Sequence, residues 1–151
     1  MIKIYDLRDD RYTINLIQDA TLYTEDAGLK VKHGLFGSTE WWGAIEKGVI
    51  PKNRIKGVIS RVYMSGHNDF PEFEVTSESG RSSWERKGDD YHFVVGRKIE
   101  IVYVTQDFKK PIEIRRIKGQ RELMTASRII LEILVQNSGD TILNSQQPTE
   151  R

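Results

Sequence analysis

Hydrophobic and polar positions alternate over the first third of the chain, and the alternation predicts short β-strands. In Ile2 to Leu7, the residues Ile2, Ile4 and Asp6 face one way and Lys3, Tyr5 and Leu7 the other. Tyr12 to Gln18 alternates again, and Ala20 to Thr24 is rich in β-formers. Glu25-Asp-Ala-Gly28 reads as a hairpin turn into Leu29 to His33. Short strands in close succession predict a meander rather than βαβ units.

The period then changes. Ser38 is a candidate N-cap, Glu40 sits in the first turn, and Gly48 with Pro51 beyond it supplies a stop, so a short helix is predicted over 39–47. Trp41, Ala44 and Ile45 share one face of it. Trp41 and Trp42 are about 100° apart on a helix, so one enters the core and the other covers a neighbour.

From Arg54 onward strands are predicted at 55–65, 70–76, 81–86 and 91–95, separated by turns rich in Gly, Asn and Asp. The clearest runs from Lys98 to Thr105, with Ile99, Ile101 and Tyr103 on one face, and Gln106 to Pro111 is expected to end it. In Arg121 to Gln136 the polar residues Glu122, Thr125, Arg128, Glu132 and Gln136 recur at spacings of three and four. That pattern favours a C-terminal helix over 121–136; a buried strand over 128–135 is the alternative. The fold class expected is therefore mostly β (α+β), a small β-barrel or curved antiparallel sheet carrying two helices. A single β-rich domain over 1–139 and a polar, frayed tail over 140–151 complete the expectation.

Composition narrows the function classes. With 151 residues, 38% hydrophobic and 30% charged, the chain is neither low-complexity nor collagen-like. Its 23 Lys+Arg against 22 Asp+Glu leave +1, without the global basic excess of a dedicated nucleic-acid binder. Cysteine is absent, which removes disulfides, thiolate nucleophiles and cysteine-held metals, and suits a reducing cytosol. The N-terminus has no signal-peptide pattern, and the apolar run Ile129 to Val135 is too short to span a bilayer. A cytoplasmic protein without a membrane segment is expected.

Motifs for chemistry are few. Gly34-Leu-Phe-Gly37 lacks the spacing of a phosphate-binding loop, and neither HExxH nor GxSxG occurs, so no cofactor is predicted. His67 with Asp69, and Asp89-Asp90 with His92, would form a metal or proton-transfer cluster only if two loops converged; turn chemistry explains them more simply, and no metal site is predicted. Trp84, with Arg81 and Arg86 alternating on its strand, is the best exposed-aromatic candidate, and Tyr63 is another of the aromatics spread over the expected barrel, although core packing is the commoner fate of a tryptophan. Lys109, Lys110, Arg115, Arg116, Lys118 and Arg121 crowd a stretch where Glu113 is the one acidic residue. Such a ridge either meets phosphate or an acidic partner, or guards a strand edge.

Residues 57–111 resemble a small β-barrel domain recurring in uncharacterised bacterial proteins. The resemblance is carried by Lys56-Gly-Val-Ile-Ser60, Pro71-Glu-Phe-Glu-Val75, Ser79-Gly-Arg81, Val95-Gly-Arg-Lys-Ile-Glu-Ile-Val-Tyr103 and Pro111. It implies an opening strand, a hairpin and a Gly-led strand followed by a proline turn, and it brings no catalytic residues. Relatives of this kind often adjoin membrane spans, which this sequence lacks. The function expected is a non-catalytic interaction module, binding a protein partner or itself. Binding residues expected are Trp84, Tyr63, Arg86, Lys109, Lys110, Arg115, Arg116 and Lys118. The alternatives are single-stranded nucleic-acid binding on that aromatic and basic face, and a hydrolase using His67, Asp69 and His92.

Overall fold

The computed structural model describes residues 1–65, 69–115 and 121–137. Six strands, β1 (Ile2–Asp6), β2 (Asn53–Met64), β3 (Pro71–Ser77), β4 (Gly80–Glu85), β5 (Lys98–Arg115) and β6 (Arg121–Val135), form one sheet in the order β1-β6-β5-β2-β3-β4. Two helices, α1 (Arg11–Tyr23) and α2 (Thr39–Glu46), lie between β1 and β2 in the chain. The protein is mostly β with antiparallel strands, as its patterning predicts. Its residues divide into two compact units: Met1–Asp6, Arg54–Val102 and the residues from Glu132 on, and Leu7–Asn53 with Tyr103–Leu131.

In the first unit, β2, β3 and β4 form a meander. β2 pairs with β3 from Gly57↔Ser77 to Met64↔Pro71, with an irregularity between Ile59 and Arg61. β3 returns as β4 through the two residues Glu78 and Ser79, and Gly80 takes a φ of +113° that favours glycine. Ile59, Phe73, Val75, Trp84, Phe93, Ile99 and Ile101 are buried here, with the Phe73 and Phe93 rings 4.7 Å apart. Gly57 lies where the strands approach closely, and a Cβ there would overlap the Thr76 carbonyl oxygen and stand 2.8 Å from Val75 Cγ1.

The C-terminal segment corrects the sequence reading. Residues 121–135 are strand, and the helix expected over 121–136 does not form. Ile129, Ile130, Leu131, Ile133 and Val135 are all buried, so the segment needs partners on both faces around 129–131, which one helical stripe would not supply. Its β-branched residues suit a pleated strand, and β1 pairs with it from Ile2↔Val135 to Asp6↔Glu132. The three-and-four spacing of polar residues is compatible with either structure, and the long-range pairing decides. Likewise β5 does not stop before Pro111 but continues to Arg115, and 91–95 begins in a 3-10 turn (Asp90–His92) rather than a strand.

In the second unit the expected early meander is replaced by α1. Asp10 caps it, its carboxylate accepting from the Thr13 amide at 3.0 Å and the Thr13 hydroxyl at 2.7 Å. Ile14 and Thr21 are buried and Ile17 and Gln18 half-buried, the three-and-four spacing of one helical face. The alternation that suggested strands comes from Tyr12 and Leu16, which the fold leaves in solvent. The strand expected at 29–33 reduces to two isolated bridges, Leu29↔Phe108 antiparallel and Lys32↔Gly34 parallel.

Helix α2 forms where its caps predict, with the Ser38 hydroxyl accepting from the Trp41 amide at 3.2 Å. Trp41 is 0% exposed, while the half-buried Trp42 lies edge-on against it and under the Arg8 guanidinium at 4.2 Å. The tail expected over 140–151 falls outside the described residues.

Two substitutions test this packing by thermal or denaturant unfolding. Ile101→Asp places a charge at a side chain with no exposed surface, and a loss of at least about 4 kcal/mol is expected. Gly57→Ala overlaps backbone rather than a movable side chain and is expected to cost about 1–3 kcal/mol.

Candidate protein-binding surface

Trp84, Tyr63 and Arg86 all belong to the first unit. Trp84 pairs across the strands with Phe73, is 4% exposed, and donates its indole N–H to the Ser82 hydroxyl at 2.8 Å. It packs as a core residue, with no open ring face for a base or a sugar. Tyr63 and Arg86 do come together: an Nη of Arg86 donates to the Tyr63 carbonyl at 2.9 Å, and the Arg61 guanidinium lies 4.2 Å from the Tyr63 ring centroid. The other end of the Arg86 fork pairs with Asp90 at 3.4 Å, and its Nε is buried without a hydrogen-bond partner. Arg86 therefore ties β4 to the end of β2.

The basic stretch is partly consumed within the second unit. Lys109 Nζ donates to the carbonyls of Thr21 and Thr24 at 2.7 and 2.6 Å, the C-terminal end of α1. An ammonium there satisfies carbonyls that the helix leaves unpaired and complements its dipole. Lys110 pairs with Asp26 at 2.6 Å. Arg115 ends β5, and Arg116 and Lys118 lie outside the described residues. The ridge expected from sequence is thus, at its first two positions, a fastening for α1 and the loop after it.

His67 also lies outside the described residues, Asp69 is exposed with φ at 50°, and His92 lies against the Tyr91 ring at 4.1 Å. Among the described residues no group of three or more His, Asp or Glu side chains is arranged to hold a metal ion. A cleft of about 170 Å³ lies in the second unit beside Lys30, Lys32, His33, Ile50, Thr105 and Asp107. That is smaller than the ~300–1,000 Å³ of a typical cofactor or drug-sized site, and it has room for one side chain of a partner. The amide of Gln106 shapes it, accepting from the Trp41 indole at 2.7 Å and donating to the Lys30 carbonyl at 2.9 Å.

Sequence reasoning missed the solvent face of α1, where Tyr12, Leu16, Leu22 and Tyr23 are exposed. The signal was present as aromatic and aliphatic residues recurring at helical spacing, but it was absorbed into a strand alternation. No described helix is long and apolar enough to cross a membrane.

The class these features define is a small, mostly-β protein with two short helices and a surface of exposed aromatics and opposed charges. The chain belongs to the family of the immunity protein RhsI2, whose model matches residues 1–136. The match takes in both compact units and the whole 57–111 segment that resembles small bacterial β domains. A search of curated proteins returned no match.

Lys109→Met keeps the aliphatic stem and removes the ammonium from two helix-end carbonyls. A half-exposed, charge-assisted contact of this kind is worth about 1–2 kcal/mol. The expected result is a stability loss of that size, with faster amide hydrogen exchange concentrated in the last turn of α1.

Proposed function

We propose that this chain is a non-catalytic immunity factor that neutralises a protein toxin by binding it in a stoichiometric complex. The observation that carries the reading is the family match over residues 1–136. The chemistry of the described residues is consistent with it. The uncovered aromatic residues are the kind that protein interfaces bury. Protection by occupancy demands high affinity, and toxin–immunity pairs reach dissociation constants of roughly 10⁻¹³–10⁻¹⁶ M. The cysteine-free composition suits action in the cytoplasm, where the chain would meet a toxin arriving in the cell.

Titration of the toxin's activity with the purified chain tests this. Inhibition is expected to be complete at one equivalent, with the two proteins eluting together in size-exclusion chromatography. Protection at a small fraction of an equivalent, without a persistent complex, would show that the chain acts as a catalyst instead.

A further inference from the structure

Helix α1 has two ordered faces, and the fold uses one of them. At 100° per residue, Tyr12, Leu16, Asp19 and Tyr23 fall within about 60° of one another, in a stripe about 16 Å long. Tyr12 is 76% exposed, Leu16 56% and Tyr23 80%, while Ile14 and Thr21 on the opposite side are buried. The solvent face of a helix in a globular protein ordinarily carries charged and polar residues. Single exposed apolar residues need no explanation, but here three are aligned around one carboxylate.

The surroundings of that stripe are acidic. From Asp9 to Asp26 the chain holds Asp9, Asp10, Asp19, Glu25 and Asp26 against Arg11, and with Lys109 and Lys110, which meet the end of the helix and Asp26, the balance around the stripe is still acidic within a protein of net charge +1. Asp10 is occupied as the N-cap and Asp26 is paired with Lys110. Among the described residues Asp19 and Glu25 have no hydrogen-bond or ion-pair partner. The helix itself is held firmly at both ends and in the middle, by the Asp10 cap, by Lys109 on the Thr21 and Thr24 carbonyls, and by Gln18 donating to the Phe36 carbonyl at 2.9 Å. The stripe is therefore presented on a rigid element, and binding through it requires little ordering.

We propose that the outer face of α1, formed by Tyr12, Leu16, Asp19 and Tyr23, is the surface through which this chain binds its toxin, and that the toxin presents a basic patch there. The complement would be an apolar depression for each tyrosine and a lysine or arginine opposite Asp19. The proposal rests on the toxin-binding reading above and adds the site and the chemistry of the partner. Tyrosine offers a large, stiff, amphipathic contact, the type of side chain that dominates interface energetics. The surrounding carboxylates would accelerate encounter with a basic partner and repel an acidic one. A second copy of this chain would set like charges against one another, and nucleic-acid phosphates would meet the same repulsion.

The test uses the full chain and an inactivated form of the toxin it protects against in the titration above, with rates and affinity measured at low and high salt. Tyr12→Ala and Tyr23→Ala are each expected to weaken binding roughly 30-fold, chiefly through faster dissociation. Asp19→Lys is expected to slow association roughly 10-fold or more and to remove much of its salt dependence. Phe70→Ala, an exposed aromatic in the other unit, should bind as the wild type does. All four side chains are exposed, so melting temperatures should be unchanged; Asp19→Asn, which alters charge without size, should reproduce the flattened salt dependence. Wild-type affinity in all the α1 variants would overturn the proposed surface and leave toxin binding intact. Failure of the wild-type chain to bind the toxin would overturn both. A homodimer that Tyr12→Ala dissociates would assign this face to a second copy of the chain and contradict the proposal.

Discussion

The first unit is organised around a buried cation. Arg97 is 3% exposed, yet its guanidinium donates to the Gln136 carbonyl at 2.7 Å and to the His92 carbonyl at 2.9 Å. Burial pushes its ionisation below the ordinary arginine range, but that range is so high that the group stays charged at any physiological pH. A charge that cannot be neutralised must be solvated by protein, and backbone carbonyls serve. Each such bond is worth about 1.5–3 kcal/mol, and leaving the charge without them would cost more. The backbone around it is fixed in the same way, with Ile59 and Arg97 bonded N–H to carbonyl at 2.9 Å and Gly96 returning a bond to Ile59 at 2.8 Å. The 3-10 turn, the entry to β5, the middle of β2 and the end of β6 thus meet at one residue.

A comparable device works in the second unit with a lysine. Lys109 reaches from β5 to the end of α1, its backbone amide donates to the Gly28 carbonyl at 2.9 Å, and the Thr21 hydroxyl accepts from the Leu29 amide at 3.1 Å. Those bonds hold the helix and the loop after it against β5. The consequence for function is direct. A helix whose inner face and both ends are satisfied can leave aromatic residues on its outer face without collapsing onto them, and that is the arrangement a preformed binding surface requires.

How much of this was legible in the sequence depends on how local each signal was. Helix α2 was readable because Ser38, Gly48 and Pro51 carry their own stop and start chemistry. The strand from Lys98 was readable because its alternation stands alone, though Pro111 did not end it: proline is tolerated in a strand where its nitrogen is not asked for a ladder bond. β6 was readable only as the alternative, a buried strand over 128–135, because its polar spacing mimics a helix and one of its two neighbours in the sheet, β1, lies more than a hundred residues earlier. α1 was misread for a different reason. Tyr12 and Leu16, placed for something other than the core, completed a false period of two. The basic residues were found as a cluster, but the carbonyls that Lys109 serves lie far away in sequence and could not be inferred from it.

Hydrogen–deuterium exchange of this chain, free and saturated with its toxin, tests the central claim most directly, because it reports every backbone segment at once. The account predicts that complex formation slows exchange across residues 11–26, the helix α1 and the acidic loop that follows, with β2, β3 and β4 unchanged. Protection confined to β2, β3 and β4, with α1 exchanging as it does in the free chain, would contradict it.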